Sequence, residues 1–403
     1  MSASFYDLLK YAKTGIASPS MTHYDKLKAL AMCKAGFPVK TLTGVPPLTF
    51  QSDGTPLTAW SITGNMTQTG TPTPTVPIQP EETGDRTANL WANFKDHSNY
   101  GVTITKHDDG LYFSGTSTQD GNFVVSGGLK AGVYTISANA NRVPVDANTS
   151  CIQIYKANAI SKYVTNANAV SGYTTFEISE DMNDVQFRIR VENGVNYDGF
   201  ILRPMLNSGG TALPFEHFGY KIDISCGGQT YTSYLQEPIR KIGDYADIAS
   251  AVGTVGTATR RIKKAVFNGT ENWQYSRSGS NTRVFLQLES NCLSLSPAIC
   301  THFVYNADNI GYPRKSEFVI NSVRSIIIGI NGDNFADAAA FKQWLSDNYS
   351  AGTPVCIWYV LAEPQTETFT APTITPTNGA NVLTVGTTLP PSEVSITGHI
   401  KSN

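Results

Sequence analysis

The sequence predicts a mainly β protein: tandem β-sandwich, jelly-roll-like modules with a short helical N-terminus and Thr/Pro-rich linkers. Three observations predict it. Charged residues make up only 15% of the 403, against ~25% in ordinary soluble domains, and Thr, Ser, Asn and Gly take their place, which suits short strands and many turns. Between residues 86 and 218, runs of alternating apolar and polar residues recur with a turn signal about every ten residues, the pattern of a sandwich or jelly roll. Thr-Pro alternations flank the modules.

In chain order, residues 1–45 read as a helical segment. Phe5, Leu8, Leu9 and Ala12 keep the spacing of one helix face, with Ser4 as a cap and Gly15 as a stop. A second pattern with Leu27, Leu30 and Ala31 ends at Gly36. Two short helices bury little alone, so they read either as packing on the adjoining β domain or as an anchoring and oligomerisation element. Residues 46–85 read as a hairpin and a linker: Leu48-Thr49-Phe50, a turn at Ser52-Asp53-Gly54, a return to Ile62-Thr63, then Thr71-Pro72-Thr73-Pro74-Thr75-Val76-Pro77. Each proline fixes its own φ and extends the residue before it, which makes a stiff strap.

Residues 86–218 read as one sandwich, with strands at Gly101–Thr105, Leu111–Ser114, Asn122–Val125, Gly132–Ile136, Ile152–Tyr155, Thr174–Ile178 and Val185–Val191. Residues 219–366 read as a second, less regular β module. It opens with strands at Tyr220–Ser225 and Gln229–Leu235. Its one helix, near Asn334–Tyr349, has Ala338, Phe341, Trp344 and Leu345 as its apolar face and Asp333 or Asn334 as its cap. The run Pro354–Leu361 is nearly all apolar, as in a strand buried on both faces. Residues 367–403 read as a Thr/Pro linker and a closing hairpin of Asn381–Val385 and Ser392–Ile400.

Net charge is −2, so no basic excess exists to neutralise phosphates, and nucleic acid is not expected as a partner. The run Ile326-Ile327-Ile328 is far too short for a bilayer, and Met1–Lys13 lacks a signal-peptide pattern, so neither membrane insertion nor Sec export is expected. The six cysteines form no C-x-x-C pair and read as buried free thiols. The sequence leaves a Cys292–Cys300 bridge open.

The sequence carries few chemical motifs. No G-x-S-x-G elbow, H-E-x-x-H helix or Walker loop occurs. Asp108-Asp109 reads as a turn, and Glu177, Glu180, Asp181 and Asp184 as a solvated loop around a strand start, so no catalytic pair is assigned. The six histidines are isolated, Arg260-Arg261-Ile262-Lys263-Lys264 reads as a strand with exposed charges, and no D-x-D-x-D-G calcium run is present. No cofactor or metal is expected. Carbohydrate is the best ligand class: a sugar stacks its C–H face on an aromatic ring while Asn, Asp and Gln bond its hydroxyls. The 86–218 module offers Trp91, Tyr100, Tyr112, Tyr155, Tyr163, Tyr173 and Tyr197. Most read as core or cross-strand residues. Tyr163 and Tyr173, in polar stretches, are the candidate carbohydrate contacts.

Four segments carry a family resemblance. They are Trp60–Asn65 with Gln68–Pro74; Asn89-Leu90-Trp91 with Phe187–Val191, Leu202–Leu206 and Phe215–Tyr220; Arg260–Trp273; and Phe341–Leu345 with Trp358–Pro364. In this order they resemble minor structural and tail proteins of bacteriophages of Gram-positive bacteria, over most of residues 55–400. The resemblance implies a non-enzymatic virion protein of the tail, baseplate or tail-fibre region, assembled in the host cytoplasm and released with the particle. It implies other tail proteins as partners, a homo-oligomer with a trimer favoured, and a carbohydrate-binding-like module engaged in receptor binding on host surface glycans. A purely architectural tail protein is the alternative, and a glycan depolymerase a more distant one.

Overall fold

The computed structural model describes residues 39–401, apart from positions 92–93, 108, 143–149, 157–162, 169–171, 279–280, 310–312, 332–333, 388 and 390–393. The chain is mainly β, with several antiparallel sheets arranged as sandwiches. The two N-terminal helices read from the sequence lie outside the described residues. The end of that segment is not helical: Val39–Gly44 is a strand paired with Ser395–Lys401. Alternating β-branched Val39, Thr41 and Thr43 favour a strand, and Pro46-Pro47 bars a helix from continuing.

A central sandwich organises the molecule. Its larger sheet has seven strands in the spatial order Val39–Gly44, Ser395–Lys401, Ala59–Thr63, Ile248–Val252, Val255–Phe267, Val355–Thr370 and Ala298–Cys300. Its smaller sheet runs Gln229–Leu235, Tyr220–Cys226, Asn378–Val385 and Leu48–Asp53, with Asp85–Arg86 added beside Tyr220–Cys226. Trp60, Ile62, Ile222, Ile224, Leu383 and Ile396 fill the space between the sheets, all buried. Each such side chain contributes roughly 1.5–3 kcal/mol of burial.

This arrangement corrects three readings. Leu48–Asp53 and Ala59–Thr63 are strands, but they belong to opposite sheets and pair with Asn378–Val385 and Ile248–Val252, not with each other. The Asp53-Gly54 turn is real, with Gly54 at φ 89° and Asp53 Oδ1 accepting from Thr55 N, yet it carries the chain across the sandwich. The C-terminal pair likewise divides between the two sheets. The strands within 46–85 and 367–403 that flank the Thr/Pro stretches are therefore parts of the central sandwich rather than separate hairpins.

Two units are inserted into this frame. The first, within 86–218, packs a four-stranded sheet (Gly121–Leu129, Met182–Val191, Ser150–Lys156, Tyr163–Asn168) on a six-stranded one (Tyr173–Ile178, Gly132–Ala140, Phe200–Ser208, Gly110–Gly115, Val102–His107, His97–Asn99). Its core includes Trp91, Ile104, Phe113, Ile136, Phe187 and Ile189. The chain enters and leaves side by side: Arg86 pairs with Tyr220 and Asp85 with Lys221. Buried Asn89 closes the neck. Its Nδ2 donates to Pro204 O (3.0 Å) and Glu216 O (2.7 Å), and its Oδ1 accepts from Trp91 N (2.9 Å) and Leu206 N (3.1 Å). Gly219 is required here, because a Cβ would lie 2.3 Å from Leu235 O.

The second unit grows out of the two longest strands. Val255–Phe267 and Val355–Thr370 pair from Val255↔Thr370 to Arg260↔Gln365, shift at a bulge, and resume from Ile262↔Val360 to Phe267↔Val355. Beyond the bulge they pack on the sheet containing Gln274–Ser278, Asn281–Gln287, Ser325–Ile330, Glu317–Ile320 and Val304–Tyr305. The single described α-helix, Ala338–Ser350, lies on this core through Phe341 and Leu345. It starts later than the sequence suggests, because Asp337, and not Asp333 or Asn334, is its cap, with Oδ1 accepting from Ala340 N at 2.8 Å. Val355–Leu361 is buried throughout, as the apolar run predicts.

Candidate functional site

The outer face of the six-stranded sheet carries a groove of about 450 Å³. Strand alternation builds it. In Gly132–Ala140, Tyr134, Ile136 and Ala138 point to the core, so Thr135, Ser137 and Asn139 take the other face. Register then sets Tyr173 and Met205 beside Ser137, and Arg203 beside Asn139. Arg142 and the segment Leu213-Pro214-Phe215 complete the lining.

Of the two tyrosines expected to contact sugar, Tyr173 lines this groove and is 60% exposed. The other, Tyr163, begins a strand of the opposite sheet, where its backbone pairs with Tyr155. Their backbones thus lie in different sheets. The remaining aromatics serve the fold. Trp91 and Tyr197 are buried, Tyr100 packs on Phe123, and Tyr155 lies under Arg188, whose guanidinium carbon is 3.8 Å from the ring centroid.

The groove is positively biased. Arg142 donates to the backbone carbonyls of Asn196 (3.0 Å) and Asp198 (3.1 Å), which orient the guanidinium without cancelling its charge. Arg203 donates to Asp109 Oδ2 at 3.1 Å, and the Tyr112 hydroxyl donates to the same oxygen at 2.9 Å. Burial pushes the Asp109 carboxyl up, but these two hydrogen bonds and the Arg203 charge outweigh it and hold the group below its ordinary value. Among the described residues, no acidic side chain lines the groove. Asn139, Ser137 and the two guanidiniums offer hydroxyl and carboxylate partners around one exposed ring. No sequence spacing marks Arg142 or Arg203 as neighbours of Tyr173: cross-strand register brings Arg203 there, and Arg142 follows the end of Gly132–Ala140.

Two of the carboxylates considered for acid–base chemistry, Asp109 and Asp181, are held by basic side chains. Lys130 Nζ lies 2.6 Å from Asp181 Oδ2, and Ala131 N donates to Oδ1, which holds that carboxyl below its ordinary value. Glu180 lies 3.9 Å from Lys156. Among the described residues, no group of three or more His, Cys, Asp or Glu side chains is placed to hold a metal ion. The five described cysteines are free and buried, Cys292 and Cys300 included. Comparison with protein-family models, with curated proteins and with solved structures returns no match for this chain.

Proposed function

We propose that this chain is a non-enzymatic structural protein of a bacteriophage tail, and that its 86–218 sandwich contacts glycans on the host cell surface. The observation that carries the glycan part is the groove: Tyr173 exposed on a rigid sheet face, ringed by Asn139, Ser137, Arg142 and Arg203. Its charge favours sugars bearing a carboxylate or phosphate, which guanidinium forks recognise well. The tail assignment rests on the four resembling segments. One of them, Asn89–Trp91 with Phe215–Gly219, makes the neck of the inserted sandwich. On this reading the chain works as a homo-oligomer, with a trimer favoured, bound to other tail proteins. Shallow sites of low individual affinity then act together through copy number.

The test is binding of the full chain to immobilised cell-wall polysaccharides of Gram-positive bacteria. Tyr173→Ala and Arg142→Gln should each weaken binding about tenfold, which corresponds to ~1.4 kcal/mol, and leave the unfolding midpoint unchanged. Equal binding by both variants and the native chain refutes the groove. Binding of the native chain to none of the polysaccharides favours the architectural alternative.

A further inference from the structure

A second concave site lies on the other inserted unit. The helix Ala338–Ser350, the end of Ser325–Ile330 and the tip of the Thr-Pro strap enclose about 400 Å³, within the range of small-molecule sites, ~300–1,000 Å³. The strap is pinned there and does not act as a spacer. Gln68 Nε2 donates to Cys300 O (2.9 Å) and Ile78 O (2.8 Å), and Ile78 N donates to Thr301 O (2.9 Å). Thr73 and Val76 exchange backbone hydrogen bonds, so Pro74-Thr75 forms a closed tip that serves as one wall. Across it, the 314–316 loop rests on Gly329, where a Cβ would lie 2.1 Å from Arg314 O. Ser316 on this rim holds φ at 68°, a strained value for a residue with a side chain.

The lining chemistry is specific. Phe303 and Phe335 are buried and make an apolar floor against Trp344, with ring centroids 6.0 and 5.6 Å away. The chain has five tryptophans. Trp60, Trp91, Trp273 and Trp358 are 1–3% exposed, whereas Trp344 is half-buried at the groove. The indole N–H groups of Trp273 and Trp358 donate to carboxylates. That of Trp344 donates to no described residue. On the helix one turn along, Gln343 Nε2 donates to Asp347 Oδ1 at 2.8 Å, and both side chains are exposed. Their remaining oxygens and N–H face hydroxyl chemistry. Exposed Lys315 balances Asp347, so the groove has no net charge bias.

We propose that this groove binds a neutral pyranose sugar, as a second saccharide site distinct from the Tyr173 groove. Ring C–H groups would cover Phe335 and Trp344, and hydroxyls would bond the Trp344 N–H, Gln343 and Asp347. An extended peptide fits poorly, because Ser325–Ile330 is already paired on both sides, by Asn281–Gln287 and Glu317–Ile320, and offers no free edge.

Because Trp344 alone of the five tryptophans is accessible, acrylamide quenching of the full chain's fluorescence reports on this site. At least one of glucose, galactose, rhamnose and N-acetylglucosamine should lower the quenching constant about twofold, since such pockets cover most of a bound ligand. Gln343→Ala/Asp347→Ala, which removes two surface side chains bonded to each other, should abolish that protection. Tyr173→Ala should leave it intact, so failure here is separable from failure of the first groove. The inference is overturned if none of the four sugars protects, if protection survives the double substitution, or if glucuronate protects as well as the most protective of the four.

Discussion

Glu82→Gln should destabilise the protein far more than a surface carboxylate substitution would. Glu82 ends the strap and reaches the junction between the central sandwich and the helix-bearing unit, where its Oε1 accepts from Arg240 Nε and, at 2.8 Å, from Trp358 Nε1. The Arg240 side chain is 2% exposed and that of Glu82 14%. Among the described residues, the Arg240 guanidinium has one carboxylate partner apart from Glu82, Glu237 at 2.6 Å, which is 56% exposed and screened. Removing the Glu82 charge leaves a buried guanidinium poorly compensated, a change that costs ~3–5 kcal/mol. Arg240→Met should cost a similar amount, because it strands the Glu82 carboxylate. The double variant should lose less than the sum of the two by at least about 1 kcal/mol, since neither charge is then left alone. Urea unfolding of the four proteins, followed by tryptophan fluorescence, measures this cycle in the transition of the junction, because a chain of several units need not unfold in one step. Additive losses, or a Glu82→Gln loss below about 1 kcal/mol, would refute the pairing.

Three further outcomes follow from local structure. Asp337→Ala removes the cap accepted from Ala340 N and should cost about 1 kcal/mol in the unit carrying the helix, read by urea unfolding. His302 is fully buried, with Nδ1 on Thr301 Oγ1, and burial, only partly opposed by a hydrogen bond with Asn348, pushes its pKa down to about 4 from an ordinary 6.5. Between those values the unfolded chain binds a proton that the folded one refuses. Stability should therefore rise by on the order of 3 kcal/mol from about pH 4 to pH 6.5, and His302→Gln should remove that part of the pH profile. Burial pushes the Cys151 and Cys300 thiols up to about 12 and Cys292 up to about 11. A thiol reagent should label none of the five described cysteines in the native protein and all of them after unfolding, as scored by mass spectrometry of digested peptides.

What the sequence made legible was governed by distance along the chain. The 86–218 sandwich was readable because its strands alternate cleanly and most neighbours lie within one module, as in Ile104↔Phe113 or Val125↔Phe187. The central sandwich was not, because its pairs join the two ends of the chain: Val39↔Lys401, Leu48↔Leu383 and Trp60↔Gly398. Ser52-Asp53-Gly54 signals a turn, but a turn does not say whether the next strand pairs with the last or crosses to the other sheet. The strap's extended character followed from its prolines. Its destination depends on Gln68 and Ile78, whose partners lie beyond residue 299. Tyr173 could be chosen for its polar surroundings, whereas Arg203 could be placed beside it only through the register of Phe200–Ser208 on Gly132–Ala140.

The nested topology matters for a protein proposed to hold a surface through weak contacts. A module joined in series hangs on one linker, and its site samples many orientations. Here the 86–218 sandwich is fastened by two adjacent chain crossings, a backbone ladder at Arg86↔Tyr220 and the four hydrogen bonds of buried Asn89. The helix-bearing unit continues strands of the central sheet, with Asn291 clamping the bulge through Glu363 N (2.8 Å) and Glu363 O (3.0 Å). Two grooves of different charge are thereby presented from one braced body. Less orientational entropy is lost when a second site binds, and effective concentration is gained only where ligand spacing matches the fixed geometry. Loosening the neck with Asn89→Ala should accordingly weaken binding to polysaccharide more than binding to the corresponding free monosaccharide. Equal losses on both would show that bracing contributes nothing to attachment.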